Sequence, residues 1–348
     1  MLELYSDYLL CSFSATTATG LSSLTDGVIS HDKVTRFLGK EELNSCALWS
    51  LVKKEVRACE SEDAVLIFDD TIEEKPYTDE SELICWHYDH SKNRSVKGIN
   101  ILNAVYHSQG HTFPVAFEAV RKPYQYCDLA TKKVKRKSER TKNEMMRDML
   151  LVCRQNQLKF SYALFDIWFS SAENMDFIVK RMKRHFISAV KGNRLVALSE
   201  EDKKAGQFIH MSDLDYSEQK PLKVWVKGLS FPVLAHRQIF TNKDGSEGIL
   251  YLMCSDLSCD KDRIEAIYKK RWNVEVYHKS LKQNANLAKS PAQRIRTQLN
   301  HVFMAIYSVF KLECLGMKRK MNHFAIRGKL LINATRSAYE RLLSFQSA

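Results

Sequence analysis

AVLIFDD, residues 64–70, is a short apolar run that ends in two aspartates. An uninterrupted apolar run of this length, without the alternation of a half-exposed strand, is typical of a strand buried on both faces. KFSYALFD, residues 159–166, repeats the pattern later in the chain and also ends in an aspartate. Two such strands predict an α/β protein with a polar site where the strands end.

The segments around these two strands predict the order of the sheet. SVKGINILNAVYHSQGHTFPVAFEAV (95–120) predicts two antiparallel strands joined by a turn at Ser108-Gln109-Gly110. The other predicted elements are a helix at 143–156, a helix at 171–186 and a strand at 186–198. Strand, hairpin, helix, strand, helix and strand is the order of a ribonuclease-H-like sheet, so we expect a mixed sheet flanked by helices.

Composition narrows the class of protein. The chain has 348 residues, 45% of them hydrophobic, which predicts a globular fold with a large core. A net charge of +12 favours a polyanionic partner, of which nucleic acid is the best candidate. Nine scattered cysteines, the absence of a signal-peptide pattern and the absence of a membrane-length apolar run predict a soluble cytoplasmic protein with no membrane partner.

The texture of the sequence divides the chain into five segments. Apolar positions at helical spacing predict a mostly helical N-terminal region, a candidate for binding DNA ends, in which TATGLSSLTDG (17–27) is a loop. After the first part of the sheet, alternating residues predict a β-rich insertion with a turn at 242–245. VFMAIYSVF (302–310) predicts a buried helix. The segments are 1–60 (helical), 61–199 (first part of the core), 200–258 (insertion), 259–300 (second part of the core) and 301–348 (helical and basic).

IYKKRWNVEVYHKSLK, residues 267–282, predicts a helix with an unusual polar stripe. Tyr268, Arg271, Glu275 and Lys282 are separated by 3, 4 and 7 residues, so at about 100° per residue they share one face. A solvated helix face would explain such a stripe if nothing else in the sequence required it.

Three carboxylates, one of them on this stripe, indicate that the stripe is part of a functional site. Asp70, or its neighbour Asp69, follows the first buried strand, Asp166 follows the fourth, and Glu275 lies on the late helix. The first and fourth strands of a ribonuclease-H-like sheet are adjacent, so these groups would converge. Each aspartate alone is better explained as a strand-end cap or turn residue, but together the three carboxylates would repel one another unless cations intervened. Two divalent metal ions that activate a phosphodiester reaction would resolve the repulsion.

The same segments carry a resemblance to a known family. YKKRWNVEVYHKSLK (268–282) resembles the Tyr-Arg-Glu-Lys signature of DDE-class insertion-sequence transposases of the IS-four, Tn-five-transposase-like group. FDDTI (68–72) and ALFDIWFSS (163–171) resemble the first and second aspartate motifs of that group. The resemblance extends over about residues 60–310.

This resemblance implies a cut-and-paste DNA transposase that acts as a homodimer on terminal inverted repeats and target DNA, in the nucleoid of a bacterial-type cytoplasm. It implies metal ligation by Asp70, Asp166 and Glu275, with Asp69 as the alternative to Asp70, and two Mg²⁺ ions for which Mn²⁺ can substitute. The residues implied in DNA binding are Tyr268, Arg271, Trp272 and Lys282. Trp272 would stack on a base flipped out at a hairpin end, with Trp225 of the insertion as a candidate second wall.

Other interpretations remain open at this stage. A ribonuclease-H-like nuclease, or a domesticated transposase-derived DNA-binding protein, would share the fold and the charge. Cys85, His87 and His90 are metal-ligand types, although a loop beside the active site explains them better than a separate metal site. The basic block 132–142 is either a solvated face or a track for the DNA backbone.

Overall fold

The computed structural model describes residues 1–90, 92–218, 220–241 and 244–346. Its helices are α1 Leu2–Cys11, α2 Ala18–Leu24, α3 His31–Lys40, α4 Ser45–Ala58, α5 Lys142–Gln155, α6 Ala172–Asp176, α7 Glu200–Lys204, α8 Lys261–Lys269, α9 Trp272–Gln283, α10 Ile295–Arg319 and α11 His323–Gln346. Its strands are β1 Val65–Glu74, β2 Cys85–Asp89, β3 Arg94–Ser108, β4 His111–Ala119, β5 Tyr124–Asp128, β6 Lys133–Lys137, β7 Tyr162–Phe165, β8 His185–Val190, β9 Leu195–Ala197, β10 Ile209–His210, β11 Leu222–Val226, β12 Pro232–Thr241 and β13 Glu247–Cys254.

The central part of the sheet has ribonuclease-H-like topology. Strands β4, β3, β1, β7 and β8 lie side by side in that order. Strand β3 is antiparallel to both β4 and β1, whereas β7 runs parallel to β1 and β8 parallel to β7. Helix α5 connects the hairpin to β7, as a crossover between parallel strands requires. The predicted fold class, a mixed α/β sheet flanked by helices, is confirmed.

The apolar runs form the core of this sheet. Residues Val65 to Phe68 of β1 have no exposed surface, because helices cover both faces of the strand. Phe117 of β4 packs against Phe303 of α10, with 6.2 Å between the ring centroids. The segment 302–310 lies within α10 and is buried throughout, as its sequence predicted.

The N-terminal helices pack against the same helix α10. The hydroxyl of Tyr5 on α1 lies 3.1 Å from Nδ1 of His301, and Asn300 Nδ2 donates to the carbonyl of Leu38 on α3 at 2.8 Å. These polar bonds cross about 260 to 300 residues of sequence and join the first 40 residues to α10.

Three local predictions differ from the structure. The expected loop at 17–27 contains α2, because Thr17 caps the helix by accepting from the amide of Gly20 at 2.8 Å and Leu21 is buried. The helix expected over 171–186 ends early, and Lys183 has a left-handed φ of 55° just before β8 begins. The strand expected over 186–198 is two strands, β8 and β9, separated by a turn.

The strands of segment 200–258, together with β9, extend the central sheet. Strand β13 pairs antiparallel with β8, and β12, β11, β9 and β10 follow outward from it. The turn predicted at 242–245 includes Asn242 and Lys243, which lie outside the described residues. By contrast, the turn predicted at 108–110 is present, with Gln109 and Gly110 in the left-handed region at φ 51° and 81°.

Helix α11 is mostly exposed over its 24 residues. Its exposed apolar side chains include Ile332, Tyr339 and Leu342, which lie on one face of the helix at spacings of seven and three residues. Among the described helices, none has the length and apolarity that crossing a membrane requires.

Candidate active site

The register of β1 and β7 decides which aspartates can meet. Ile67 is paired with Leu164, so Asp69 and Asp166 fall at the same level two residues further along. Side chains alternate along a strand, and Asp69 therefore shares its face with Asp166, while Asp70 points to the opposite face. Strand β1 continues to Glu74, so both aspartates lie within it and not at its end.

Helix α9 brings Glu275 to the face that Asp69 occupies. The Nη1 atom of Arg271 lies 3.4 Å from Asp69 Oδ2 and 3.3 Å from Glu275 Oε1, so one guanidinium group bridges both carboxylates. His278, one helical turn after Glu275, has a ring nitrogen in the same cluster. One ligand atom from each of Asp69, Glu275 and His278 lies within 4.8 Å of the others.

Asp70 makes a different set of contacts. Its Oδ1 atom accepts from Lys142 Nζ at 2.8 Å, and its Oδ2 atom accepts from Asn100 Nδ2 at 2.7 Å. Lys142 begins α5, and its ammonium group also lies 4.5 Å from the ring centroid of Trp168. Asp70 is thus neutralised by the protein itself on the α5 side of the strand.

The electrostatics of the carboxylates reflect their crowding. Burial is the largest cause of the pKa of Asp69 lying well above its usual range. The charges of Asp166, Glu275 and Asp70 raise this pKa further, and Arg271 lowers it. Burial, followed by the charge of Asp70, also raises the pKa of Asp166. Carboxyl groups that resist ionisation in this way are typical of a site that is completed by cations.

His278 is held in its neutral form. Burial lowers its pKa to about 3, and the nearby charges of Lys282 and Arg271 act in the same direction. Its Nε2 atom lies 3.2 Å from Nδ2 of Asn103, which is the residue paired with Asp69 on the neighbouring strand. The imidazole therefore ties α9 to the strand beside the first aspartate.

The Tyr-Arg-Glu-Lys stripe does not lie on one continuous helix. A break at Lys270 and Arg271 separates α8, which carries Tyr268, from α9, which carries Glu275 and Lys282. Tyr268 is buried beneath Arg271, and burial raises its pKa to about 12. Lys282 reaches back to β1, where its Nζ atom donates to the carbonyl of Ile72 at 2.9 Å. Trp272 is 65% exposed and lines a neighbouring cavity that shares Arg271 with the carboxylate site.

These groups line a cavity of about 510 Å³. Asp69, Asp70, Asp166 and Glu275 line it together with the cations Arg271, Lys142 and Lys282. The same cavity is lined by the aromatic side chains of Tyr88, His90 and Trp168. An open cavity that combines carboxylates with cations suits a phosphodiester backbone, which needs both metal ions and positive side chains.

Two sets of candidates from the sequence lie apart from this cluster. Cys85 Sγ and His87 Nε2 are 3.2 Å apart and buried, and burial lowers the pKa of His87 to about 3 and raises that of Cys85 to about 11. His90 instead faces the cavity against Trp168. Trp225 lies on β11, four strands away from β7.

Sequence reasoning missed His278 and Lys142 as parts of the site. His278 had a readable signal, because it follows Glu275 by three residues and must lie on the same side of the helix. Lys142 had none, since its partner Asp70 is 72 residues away and the basic block around it looks uniform.

The donor set fits a divalent metal ion. Carboxylate oxygens are the ligands that Mg²⁺ and Mn²⁺ prefer, and a neutral imidazole nitrogen is a common ligand of transition-metal ions. Arg271 now occupies the space between Asp69 and Glu275, where its positive charge offsets their repulsion. The cluster therefore has the charge and the donor chemistry to hold a metal ion, and Arg271 would share or yield this position.

Comparison with known proteins gives the class. Residues 1–207 match the family described as DDE superfamily endonuclease, a span that contains the aspartates of β1 and β7 but ends before Glu275. No curated protein matches the chain.

Solved structures that resemble the chain include the Drosophila P element transposase strand transfer complex, with a TM-score of 0.27 and 11% identity over 48% of this chain and 33% of that one. The chain thus spans about a third of that transposase. The NurA nuclease from Sulfolobus solfataricus has a TM-score of 0.30 and 9% identity over 73% of this chain and 84% of that one. Endonuclease V of Ciona intestinalis, in complex with a 24mer DNA containing an inosine, has a TM-score of 0.28 and 15% identity over 67% of this chain and 98% of that one. Because the family match covers more than half of the 348 residues, the chain belongs to the DDE superfamily of endonucleases.

Proposed function

We propose that this DDE enzyme is a DNA transposase that cuts an insertion sequence from its donor site and joins it to target DNA. The proposal rests on one observation above all. Asp69 and Glu275 share Arg271, and Asp166 is near enough for its charge to raise the pKa of Asp69, within a cavity that also presents the signature lysine Lys282. Helix α9 supplies a carboxylate, Glu275, and a cation, Lys282, next to the two aspartates of the sheet. Carboxylates can hold the metal ions that cleave and join DNA, and cations can bind its phosphates.

The metal ligands in this proposal are Asp69, Asp166 and Glu275, with His278 beside them. Register and distance favour Asp69 over Asp70, since Asp70 already binds Lys142 and Asn100. Two Mg²⁺ ions, or Mn²⁺ in their place, would supply Lewis-acid chemistry at the scissile phosphate. The chain itself holds the carboxylates on a rigid strand and helix, and it retains positive charge near the phosphate through Arg271 and Lys142.

The substrate in this proposal is the pair of terminal inverted repeats, followed by target DNA. Lys282 would contact a backbone phosphate at the edge of the cavity, where it already donates to a carbonyl oxygen. The buried hydroxyl of Tyr268, 3.5 Å from the carbonyl of Phe165, instead supports Arg271 from below.

Lys282→Ala is expected to weaken binding to end DNA and to lower its salt dependence. Each phosphate that the variant no longer neutralises should reduce the slope of log affinity against log salt by about one unit. The slope is measured by fluorescence anisotropy between low and moderate salt. Lys261→Ala, at the start of α8 and outside this cavity, is the control and should leave the slope unchanged. An unchanged slope for Lys282→Ala would return this lysine to the class of solvated charges.

Trp272→Ala is expected to leave the first nick nearly intact and to slow the formation of a hairpin end. A tightly bent strand must extrude a base, and an exposed indole can recover part of that cost by stacking. Gel analysis of labelled ends separates nicked from hairpin products. Equal loss of both products would contradict a stacking role, and unchanged thermal stability would show that the 65% exposed side chain is not part of the core.

The homodimer in this proposal is supported by α11. Its exposed apolar residues Ile332, Tyr339 and Leu342 follow the seven-residue and three-residue spacing with which two helices pack along a seam. A second copy of the chain would cover this face. Light scattering on the free protein and on its complex with end DNA measures the stoichiometry.

The function is tested with DNA that flanks the coding sequence. Inverted repeats found there are made as labelled duplexes and incubated with the protein and Mg²⁺. Cleavage at the repeat followed by joining of its 3′ end to a second duplex supports the proposal. Cleavage without joining would indicate a nuclease, and binding without cleavage would indicate a DNA-binding protein that has lost catalysis.

A further inference from the structure

A second cavity, of about 620 Å³, adjoins the carboxylate site. It lies between the outer face of β2 and the two-stranded ribbon formed by β5 and β6. Its aromatic members are Trp86, Tyr88 and Tyr126, which are 54%, 51% and 46% exposed. We name this the ribbon cavity.

The exposure of these rings follows from the strand pattern. Along β2, Cys85 and His87 point into the core, so Trp86 and Tyr88 must point outward. A pair of large rings on the solvent side of a strand leaves considerable apolar area uncovered, and such area commonly marks a binding surface. Tyr126 adds a ring from the ribbon side of the same cavity.

The ribbon cavity is also strongly basic. Its charged members among the described residues are Lys122, Lys133, Lys135 and Arg136, with Glu80 as the acidic one. Glu80 is engaged by Arg136 Nε at 2.9 Å. Lys135 is paired with Asp128, which leaves the set with a positive balance even after both ion pairs are counted. Aromatic faces next to a positive balance suit bases and phosphates together.

The ribbon cavity and the active site are neighbours that share one side chain. Tyr88 lines both cavities. From it, the ring of His90 lies 4.8 Å away, and the ring of Trp168 lies 5.1 Å beyond His90. The amide of Trp168 in turn donates to Asp166 at 3.0 Å. A row of rings therefore leads from a catalytic carboxylate to the ribbon.

We propose that this row of rings and the ribbon cavity bind a single strand of DNA as it leaves the cleavage site. The inference rests on the proposed function, since cleavage at a DNA end is what would free such a strand. Unpaired bases offer the flat faces that Trp86, Tyr88 and Tyr126 can stack on, whereas the bases of a duplex are already stacked. Lys133 would accompany the phosphates of the same strand.

The test measures binding of a labelled oligothymidine, without metal ions, beside a duplex of equal length. Trp86→Ala is expected to lower affinity for the single strand about tenfold, since stacking on one ring contributes about 1–3 kcal/mol per base. Affinity for the duplex should be unchanged. Trp86→Phe should keep most of the affinity, while Trp86→Leu, which keeps apolar bulk without a ring, should lose it.

Tyr77→Ala is the matched control, because Tyr77 is 99% exposed and lines neither cavity. Equal losses for single strand and duplex, or no loss with Trp86→Ala and Tyr126→Ala, would overturn the inference. Thermal melting of each variant identifies any general loss of folding. A wild-type protein that cuts ends but binds the two DNAs alike would overturn this inference alone, whereas one that binds the single strand but never cuts would overturn the proposed function.

Discussion

Asp69→Asn is expected to reduce DNA cleavage by about a thousandfold or more while leaving binding to end DNA largely intact. A bound metal ion supplies several kcal/mol of stabilisation to the transition state, and about 1.4 kcal/mol corresponds to tenfold in rate. Asp69 faces Asp166 across the register and approaches Glu275 and His278, so in the proposed mechanism its loss removes a metal ligand shared by these groups. The rate of cutting a labelled end fragment with Mg²⁺ measures this effect.

Asp70→Asn is the matched control one residue away. Asp70 binds Lys142 and Asn100, and we expect a smaller loss of rate from this substitution. The opposite ranking, with Asp69→Asn nearly as active as wild type, would make Asp70 the first ligand, as the sequence alone predicted. Similar DNA affinity in both variants is needed for either conclusion.

The raised pKa of Asp69 also gives the metal-free protein a defined dependence on pH. The folded state holds the proton of Asp69 more tightly than the unfolded chain, whose aspartates titrate near about 3.9. Ionising Asp69 therefore costs folding free energy. This cost is absent at pH values below the unfolded pKa of about 3.9, and it is complete only at pH values above the raised pKa of the folded state. Asp69→Asn avoids this cost, so its stability relative to wild type should increase from pH 4 to pH 8. Urea unfolding with a chelator measures the difference, and a constant difference would contradict the raised pKa.

Arg271→Ala is expected to lower the stability of the metal-free protein by about 3 kcal/mol, because it leaves partly buried carboxylates without their shared cation. The side chain of Arg271 is 18% exposed and contacts both Asp69 and Glu275. Mg²⁺ should restore more stability to this variant than to wild type, since a divalent ion can take over the charge that the guanidinium supplied. Urea unfolding with Mg²⁺ and with a chelator measures both quantities.

Arg271→Lys keeps the charge and should lose less stability than Arg271→Ala. The double variant Asp69→Asn with Arg271→Ala should lose less than Arg271→Ala alone, because one of the unpaired carboxylates is gone. If Mg²⁺ left the loss from Arg271→Ala unchanged, Arg271 would be a packing residue and the metal site would lie elsewhere.

The parts of the fold that the sequence predicted are those in which burial dictates residue type. Strands β1 and β7 are buried on both faces, which demands continuous apolar runs and makes the aspartates after them conspicuous. The face on which each aspartate lies could not be predicted. It depends on the register of β1 against β7, and a shift of one residue exchanges Asp69 for Asp70.

Local pattern also failed where a distant contact stabilises an element. Helix α2 has the Gly, Ser and Thr content of a loop, but a Thr17 cap and the burial of Leu21 make it a helix. The bond between Lys142 and Asp70 links a basic block to a strand 72 residues earlier. The Thr17 cap is a local signal, but the burial of Leu21 and the Lys142–Asp70 bond have no periodic signal, because both depend on what lies opposite in three dimensions.

Because β13 pairs with β8, the outer strands of the sheet are held at fixed distances from the carboxylate site. Four steps of about 4.8 Å separate β11 from β7, so the strand that carries Trp225 lies about 19 Å across the sheet from the strand that Asp166 follows. At about 3.4 Å per base pair, that length corresponds to between five and six base pairs of DNA. Movement of β11 relative to the carboxylate site would require breaking hydrogen bonds between strands. If DNA contacts β11, as the proposed function allows, that contact would therefore lie at a constant distance from the scissile bond.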